Sequence, residues 1–206
     1  MCARVVDKPQ KRLEILRAAM QVFAEQGVSK VKMSDIACRA GIGKGTLYEY
    51  FSSKEELTAG VFALFMQDYE DFVGHRLEHL GTASEQIKAF IRLSFEFVAE
   101  KEDVLSLILD LWATSVPRSG LDLIDSEISR EYRAFIDYIQ AILERGIEQG
   151  DFRAHRTDLT ASMILALLDG LMFQAILGII DIHDPNVPET IADHLLISLA
   201  KIEIDN

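Results

Sequence analysis

The sequence predicts an all-α fold of about nine helices, a small N-terminal three-helix head followed by a larger helical body. Three observations predict it. Apolar residues recur at three- and four-residue spacing along nearly the whole chain. Four prolines and twelve glycines in 206 residues leave long uninterrupted stretches. A content of 49% hydrophobic residues is enough for a sizeable core and excludes disorder as the dominant state.

The first helix is expected after Pro9, a residue tolerated in a first turn, with Leu13, Leu16, Met20 and Phe23 as its buried stripe and Gly27 as its stop. A second starts near Met33, followed by Ser34, with Ile36 and Ala37 inward, and Gly41 ends it where positive φ is needed. Ile42 plugs the turn. A third follows from Lys44, with Leu47 and Phe51 spaced i, i+4 toward the core. Ser53 and Glu56 form a capping box that opens a long fourth helix with Lys54 at its first position. Its stripe of Phe62, Phe65, Tyr69, Phe72 and Leu77 runs to about Leu80, roughly 40 Å at the helical rise.

A second capping box, Thr82 and Glu85, opens a fifth helix with Ile87, Ile91, Phe95 and Val98 on one side. A sixth covers about Val104 to Ser115 with Leu105, Ile108, Leu109 and Trp112, and Pro117 to Gly120 makes a turn. A seventh runs from Leu121 to about Gln149, burying Ile128, Tyr132, Phe135, Ile139 and Leu143 before Gly150 closes it. An eighth starts with Thr157 as N-cap and carries Met163, Leu167, Gly170, Leu171 and Gln174; a ninth after Pro188 carries Ile191, Leu195, Leu199 and Ile202. These two are apolar over more of their circumference than one small core requires. Ala166, Gly170 and Ala175 would let another helix approach closely, although ordinary intramolecular core is the plainer alternative.

Charge divides the chain. Residues 1–57 carry a net +3 and the remainder −15, which together make the overall −12. A locally basic head on an acidic body fits a head that meets phosphate while the body is repelled from it, though acidic surfaces also simply keep proteins soluble. Arg4, Lys8, Lys11 and Arg12 could reach phosphates from the N-terminal end. Cys2 and Cys38 are too few for a disulfide framework, which is consistent with a reducing, cytoplasmic setting, and no signal peptide is visible. The apolar run Ile164 to Ile182 is broken by Asp169, Gly170 and Gln174 and reads as a buried or interface helix, not as a membrane span.

The outward face of the third helix carries Lys44, Thr46, Tyr48 and Tyr50, with Gly45 allowing close backbone approach. An ammonium, a hydroxyl and two phenols suit phosphate oxygens and base edges in a major groove, and the helix, glycine turn, helix order suits a helix-turn-helix reader. The tyrosines could instead cap a small core. The run GIGKGTLYEYFSSKEEL, with DIACRAG before it and AAMQVFAEQGVSKVKM earlier, resembles the DNA-binding domain of the TetR family of bacterial transcriptional repressors over about Leu13 to Leu57. Two positions depart from the family pattern: Lys32 stands where Ser or Thr commonly caps the second helix, and Gly43 where many members have Ser. Glu49 is a third departure, since a carboxylate near DNA is repelled unless it accepts from a cytosine amine or pairs with a neighbour.

The resemblance implies a helix-turn-helix DNA-binding domain at 1–53 and a ligand-binding and dimerisation domain at 54–206. It implies a homodimer on a near-palindromic operator, with Lys44, Gly45, Thr46, Tyr48, Tyr50, Lys54, Met33 and Ser34 as candidate DNA contacts. It also implies a small-molecule effector, with Phe62, Phe65, Trp112, Phe135 and Tyr138 as candidate pocket residues, each of which could equally be core. Asp110 and Glu96 could select a cation. The dimer interface would use Met163, Leu167, Gly170, Leu171, Gln174, Ile191, Leu195 and Leu199. No cofactor is expected. Asp71, His75 and His79 fall at i, i+4, i+8 and could hold a metal, but a solvated polar face is the simpler reading and no metal site is assigned. The sequence contains no P-loop, GxSxG, HExxH or CxxC, so an enzyme would need residues assembled by folding; an all-helical interaction module without DNA binding is the other alternative.

Overall fold

Periodic apolar residues place eight helices among the described residues of the computed structural model, which are 7–77, 80–101, 107, 109–110 and 127–201. They are α1 (Lys8–Gln26), α2 (Met33–Arg39), α3 (Lys44–Tyr50), α4 (Lys54–Leu77), α5 (Ala83–Glu100), α6 (Glu127–Gln149), α7 (Thr157–Ile176) and α8 (Asn186–Leu199). Of the helix expected over Val104 to Ser115, Leu107, Leu109 and Asp110 have helical backbone; its Trp112, the turn after it and residues 121–126 lie outside the described residues. An isolated antiparallel bridge pairs Phe152 with Ala200. The chain divides into two compact units, Met1–Met66 with Asp103–Ser129, and Gln67–Glu102 with Arg130–Asn206, and α4 supplies residues to both.

In the first unit α1 packs on α2 and α2 on α3. The shared core is Ile15, Leu16, Ala19, Val22 and Phe23 from α1, Ile36 and Ala37 from α2, and Leu47 and Phe51 around α3. Helix α1 starts at Lys8, ahead of the expected Pro9, because the Asp7 carboxylate accepts from the Gln10 N–H at 3.3 Å and proline, with no N–H to satisfy, fits inside the first turn. Leu13 and Met20 are only half-buried. Gly27 at φ 80° and Gly41 at φ 65° take the left-handed turns that a side chain would oppose. Lys32 offers α2 no side-chain cap; the Asp35 carboxylate instead accepts from the Lys32 backbone N–H at 2.9 Å.

The box opening α4 is displaced by one residue. Ser53 Oγ accepts from the Glu56 N–H at 3.1 Å as expected, but the Glu56 carboxylate reaches the N–H and hydroxyl of Ser52, each at 2.7 Å. Those bonds hold the Glu56 carboxyl below its ordinary range. Helix α4 ends at Leu77, short of Leu80, whose N–H closes a turn onto the Leu77 carbonyl.

In the second unit α5 is the central element, burying Ile87, Phe90, Ile91, Phe97 and Val98 and packing against α8 and α7. Its start is the predicted box: Thr82 Oγ1 accepts from Glu85 N–H and the Glu85 carboxylate from Thr82 N–H. Helix α6 adds Phe135, Ile139, Ile142 and Leu143. A Cβ on Gly146 would collide with the Phe152 ring, so hydrogen alone lets that side chain pack against α6. Tyr69 buries its hydroxyl against Ser94 Oγ at 2.6 Å, and burial pushes its ionisation well up.

Two starts differ from expectation. Helix α7 begins with Thr157 inside it, since that hydroxyl turns to Glu144 at 3.3 Å and the capping position falls to Arg156. Helix α8 begins at Asn186, ahead of Pro188, which is buried in its first turn.

Candidate nucleic-acid interface and effector cavity

Helix α3 is seven residues long and holds its place through one face. Leu47 and Phe51 are fully buried, the Arg12 guanidinium lies 4.5 Å from the centroid of the Phe51 ring, and Gly60 of α4 passes close to that ring. Rigid attachments surround it. Arg39 at the end of α2 makes a bidentate pair with Glu25 of α1, at 2.9 and 2.5 Å. The Asp110 carboxylate accepts from the Val28 N–H at 2.9 Å in the link between α1 and α2.

The opposite face is open. Lys44, Gly45 and Glu49 are exposed, Tyr48 is 45% exposed, and Thr46 and Tyr50 are half-buried. The Lys44 ammonium stands 5.9 Å from the Tyr48 ring centroid. Lys54, half-buried at the first position of α4, has its Nζ 3.4 Å from the Ser29 carbonyl. Ser34 is exposed with its hydroxyl on Asp35, whereas the Met33 side chain is buried in the head, a correction to its expected role as a contact. Such a face can donate to phosphate oxygens and base edges without disturbing the core beneath it.

The second unit contains a cavity of about 520 Å³ between α4, α5 and α6. Its buried walls are Val73, Phe90 and Phe135; Glu70, Asp71, His75 and Tyr138 are exposed lining residues, and Gly74, Glu131, Gln67 and Ala134 complete it. Phe135 and Tyr138 were legible as candidates. Phe62 and Phe65 do not line it: they are buried in the first unit, as the apolar stripe of α4 there. Glu96 pairs with Arg92 at 2.5 Å and Asp110 is engaged by Val28, so neither lines this cavity as a cation selector. Asp71 and His75 stand on the wall; among the described residues no group of three or more His, Cys, Asp or Glu is placed to hold a metal, and His79 lies outside them. The carboxylate positions Glu70 and Glu131 have no signal in the sequence, since polar residues on a helix face look alike until another helix stands opposite.

Helix α7 is apolar and largely bare. Its most apolar window has a mean hydropathy of 1.7 with 17% of it buried, so by length and composition alone it could cross a membrane. Met163 is 71% and Leu167 42% exposed, Gly170 and Gln174 are exposed, and Leu171 is half-buried. On α8, Ile191 and Leu195 are half-buried, while Leu199 is 3% exposed within its own chain: it supports the surface from beneath and is not itself on it. Asp169 sits among these residues with its carboxyl 3.5 Å from the Tyr132 hydroxyl, and burial raises its pKa to about 6 against that bond.

Residues 15–61 match the bacterial regulatory proteins of the tetR family, and residues 83–200, more than half the chain, match the C-terminal region of BetI-type transcriptional repressors. The chain belongs to the tetR family. It is a DNA-binding transcriptional regulator and not an enzyme. Among tetR relatives, the fatty acid metabolism regulator protein of Bacillus subtilis is 27% identical over 146 residues, 71% of this chain and 73% of that one. The fold is shared with FadR of Bacillus subtilis, solved with stearoyl-CoA (TM-score 0.76, 23% identity, covering 89% of this chain and 97% of that one). It is shared also with AibR, solved with isovaleryl coenzyme A and operator DNA (TM-score 0.65, 19% identity, covering 92% and 98%).

Proposed function

We propose that this chain is a repressor that sits on a near-palindromic operator as a homodimer and leaves it when an effector fills the α4–α6 cavity. Residues 1–53 are the reading head and 54–206 the effector and dimerisation body. The observation that carries the proposal is the exposed face of α3, bearing Lys44 and Tyr48, on a helix whose other side is fully buried. Lys44, Gly45, Thr46, Tyr48 and Tyr50 enter the major groove, and Lys54 and Ser34 grip the flanking phosphates. Two such helices in successive grooves stand about 34–36 Å apart, a spacing set by pairing of the α7 and α8 faces through Met163, Leu167, Gly170, Leu171, Gln174, Ile191 and Leu195. The apolar face of α7 is therefore covered by a second copy and not by lipid, and the protein works in the cytoplasm beside its DNA. An effector releases DNA by binding the non-operator spacing more tightly than the operator-bound one.

Footprinting against the DNA flanking its own gene tests this. A protected near-palindrome of two half-sites, with affinity that falls steeply as salt rises, is the expected result. Retention of a dimer with no sequence-selective protection would favour an all-helical interaction module instead.

A further inference from the structure

We propose that the molecule accepted by the α4–α6 cavity is an amphipathic organic cation, a hydrocarbon body carrying an ammonium group, and not a polyanionic thioester of the kind held by FadR and AibR. This rests on the reading of that cavity as the effector site.

The floor is hydrocarbon and aromatic: Val73, Phe90 and Phe135 are buried there, so the part of a ligand that enters deepest gains by leaving water. Carboxylates surround it. Glu70 and Asp71 on α4 are exposed and Glu131 on α6 is half-buried, and no Lys or Arg is among the described lining residues, His75 being the one basic group there. None of these three carboxylates has an ion pair or side-chain hydrogen bond among the described residues, unlike Glu96 with Arg92 or Glu25 with Arg39. Among the described residues, no Lys or Arg neutralises their negative potential. Tyr138, on α6 with Glu131, adds an aromatic ring of the kind that attracts ammonium groups.

The same charges oppose a coenzyme A ester, whose phosphates would bring further negative charge against carboxylates with only the His75 imidazole, and no described Lys or Arg, beside them. At a partly solvated site each like-charge contact is screened but still unfavourable, and the sign is the same for all three carboxylates.

The test uses the full-length protein and four probes sharing one ten-carbon chain, below their micelle concentrations: decyltrimethylammonium, decanol, decanoate and decanoyl-CoA. Isothermal titration should rank the cation about tenfold or more above the alcohol, with the two anions weakest, and added salt should narrow the gap. The double variant Glu70→Gln with Glu131→Gln should bring cation and alcohol together. Ala134→Trp, which fills the cavity from α6, should remove binding of the cation. A cation that binds no better than decanol, or no binding by any of the four, overturns the proposal. If decanoyl-CoA binds best and Ala134→Trp abolishes that binding, the charge inference falls while the cavity remains the effector site. If any probe releases operator DNA equally from wild type and Ala134→Trp, the cavity reading itself has failed.

Discussion

The outer face of α3 and the outer face of α7 are both uncovered in one chain, yet they differ in kind. On α3 the exposed groups are hydrogen-bonding or charged, Lys44, Tyr48 and Glu49, with half-buried Thr46 and Tyr50 beside them, and the helix is short, clamped by Leu47 and Phe51 beneath. On α7 the large exposed side chains are mostly apolar, Leu159, Met163, Leu167 and Phe173, with little to offer a phosphate. A bare polar face costs little in water and is available to a hydrated, charged partner. A bare apolar face of this extent is unfavourable in water and calls for a permanent cover. Exposure by itself therefore says little about function; the chemistry of what is exposed distinguishes a transient DNA contact from a standing subunit contact.

The largest expected effect tests the apolar side of that contrast. Leu167→Glu should give a folded monomer by sedimentation, and operator affinity should fall by about 100-fold or more, since two linked heads lose their effective concentration. An unchanged dimer would show that α7 is covered by something else. Next, Tyr48→Ala should weaken specific operator binding by roughly 10- to 100-fold in gel shifts, the scale of a lost base-edge contact, with helicity and dimerisation intact. Unaltered affinity would remove Tyr48 from the reading face.

A smaller effect concerns the one half-buried acid of α7. Asp169 has a pKa raised to about 6 from 3.8, so the folded chain holds its proton more tightly than the unfolded chain does. That stabilisation is complete below the unfolded value and is lost as pH rises through about 6. Asp169→Asn, which keeps a partner for Tyr132, should therefore gain about 1–2 kcal/mol at pH 7.5 after allowing for its partial exposure, and less at pH 5. Urea unfolding at the two pH values measures it, and an equal gain at both would refute the titration as the cause. Smallest is Lys54→Ala. It should weaken binding to all DNA sequences by a few-fold and lower the salt slope by about one, the mark of one lost phosphate contact. A loss confined to the operator would place Lys54 among the base readers.

Much of the head could be read in advance because its determinants are local. Leu47 and Phe51 lie one helical turn apart, Gly41 adopts the positive φ that its position required, and Gly27 ends α1 where expected; in the body the Thr82–Glu85 box is local in the same way, formed between residues three apart. The misplaced starts differ in cause: the Thr157 hydroxyl is drawn to Glu144 on α6, distant in sequence, while Pro188 sits inside the first turn of a helix that begins at Asn186. Met33 looked available at a helix start, yet the helix turned its side chain inward.

The body was less legible. Phe62, Phe65 and Phe135 occupy the same kind of position in an apolar stripe, and no spacing rule separates the first two, which are core, from the third, which lines the cavity. What the chain order alone determined was where helices form, which side of each is apolar, and that the head is basic while the body is acidic, because these depend on backbone periodicity and on composition. What only the tertiary structure decided was which helices face one another, and so that Glu70, Asp71 and Glu131 share one cavity and that Leu199 lies beneath a surface that Met163 and Leu167 leave open. Side chains distant in sequence become neighbours only through packing, and it is their summed charge and burial that define a site.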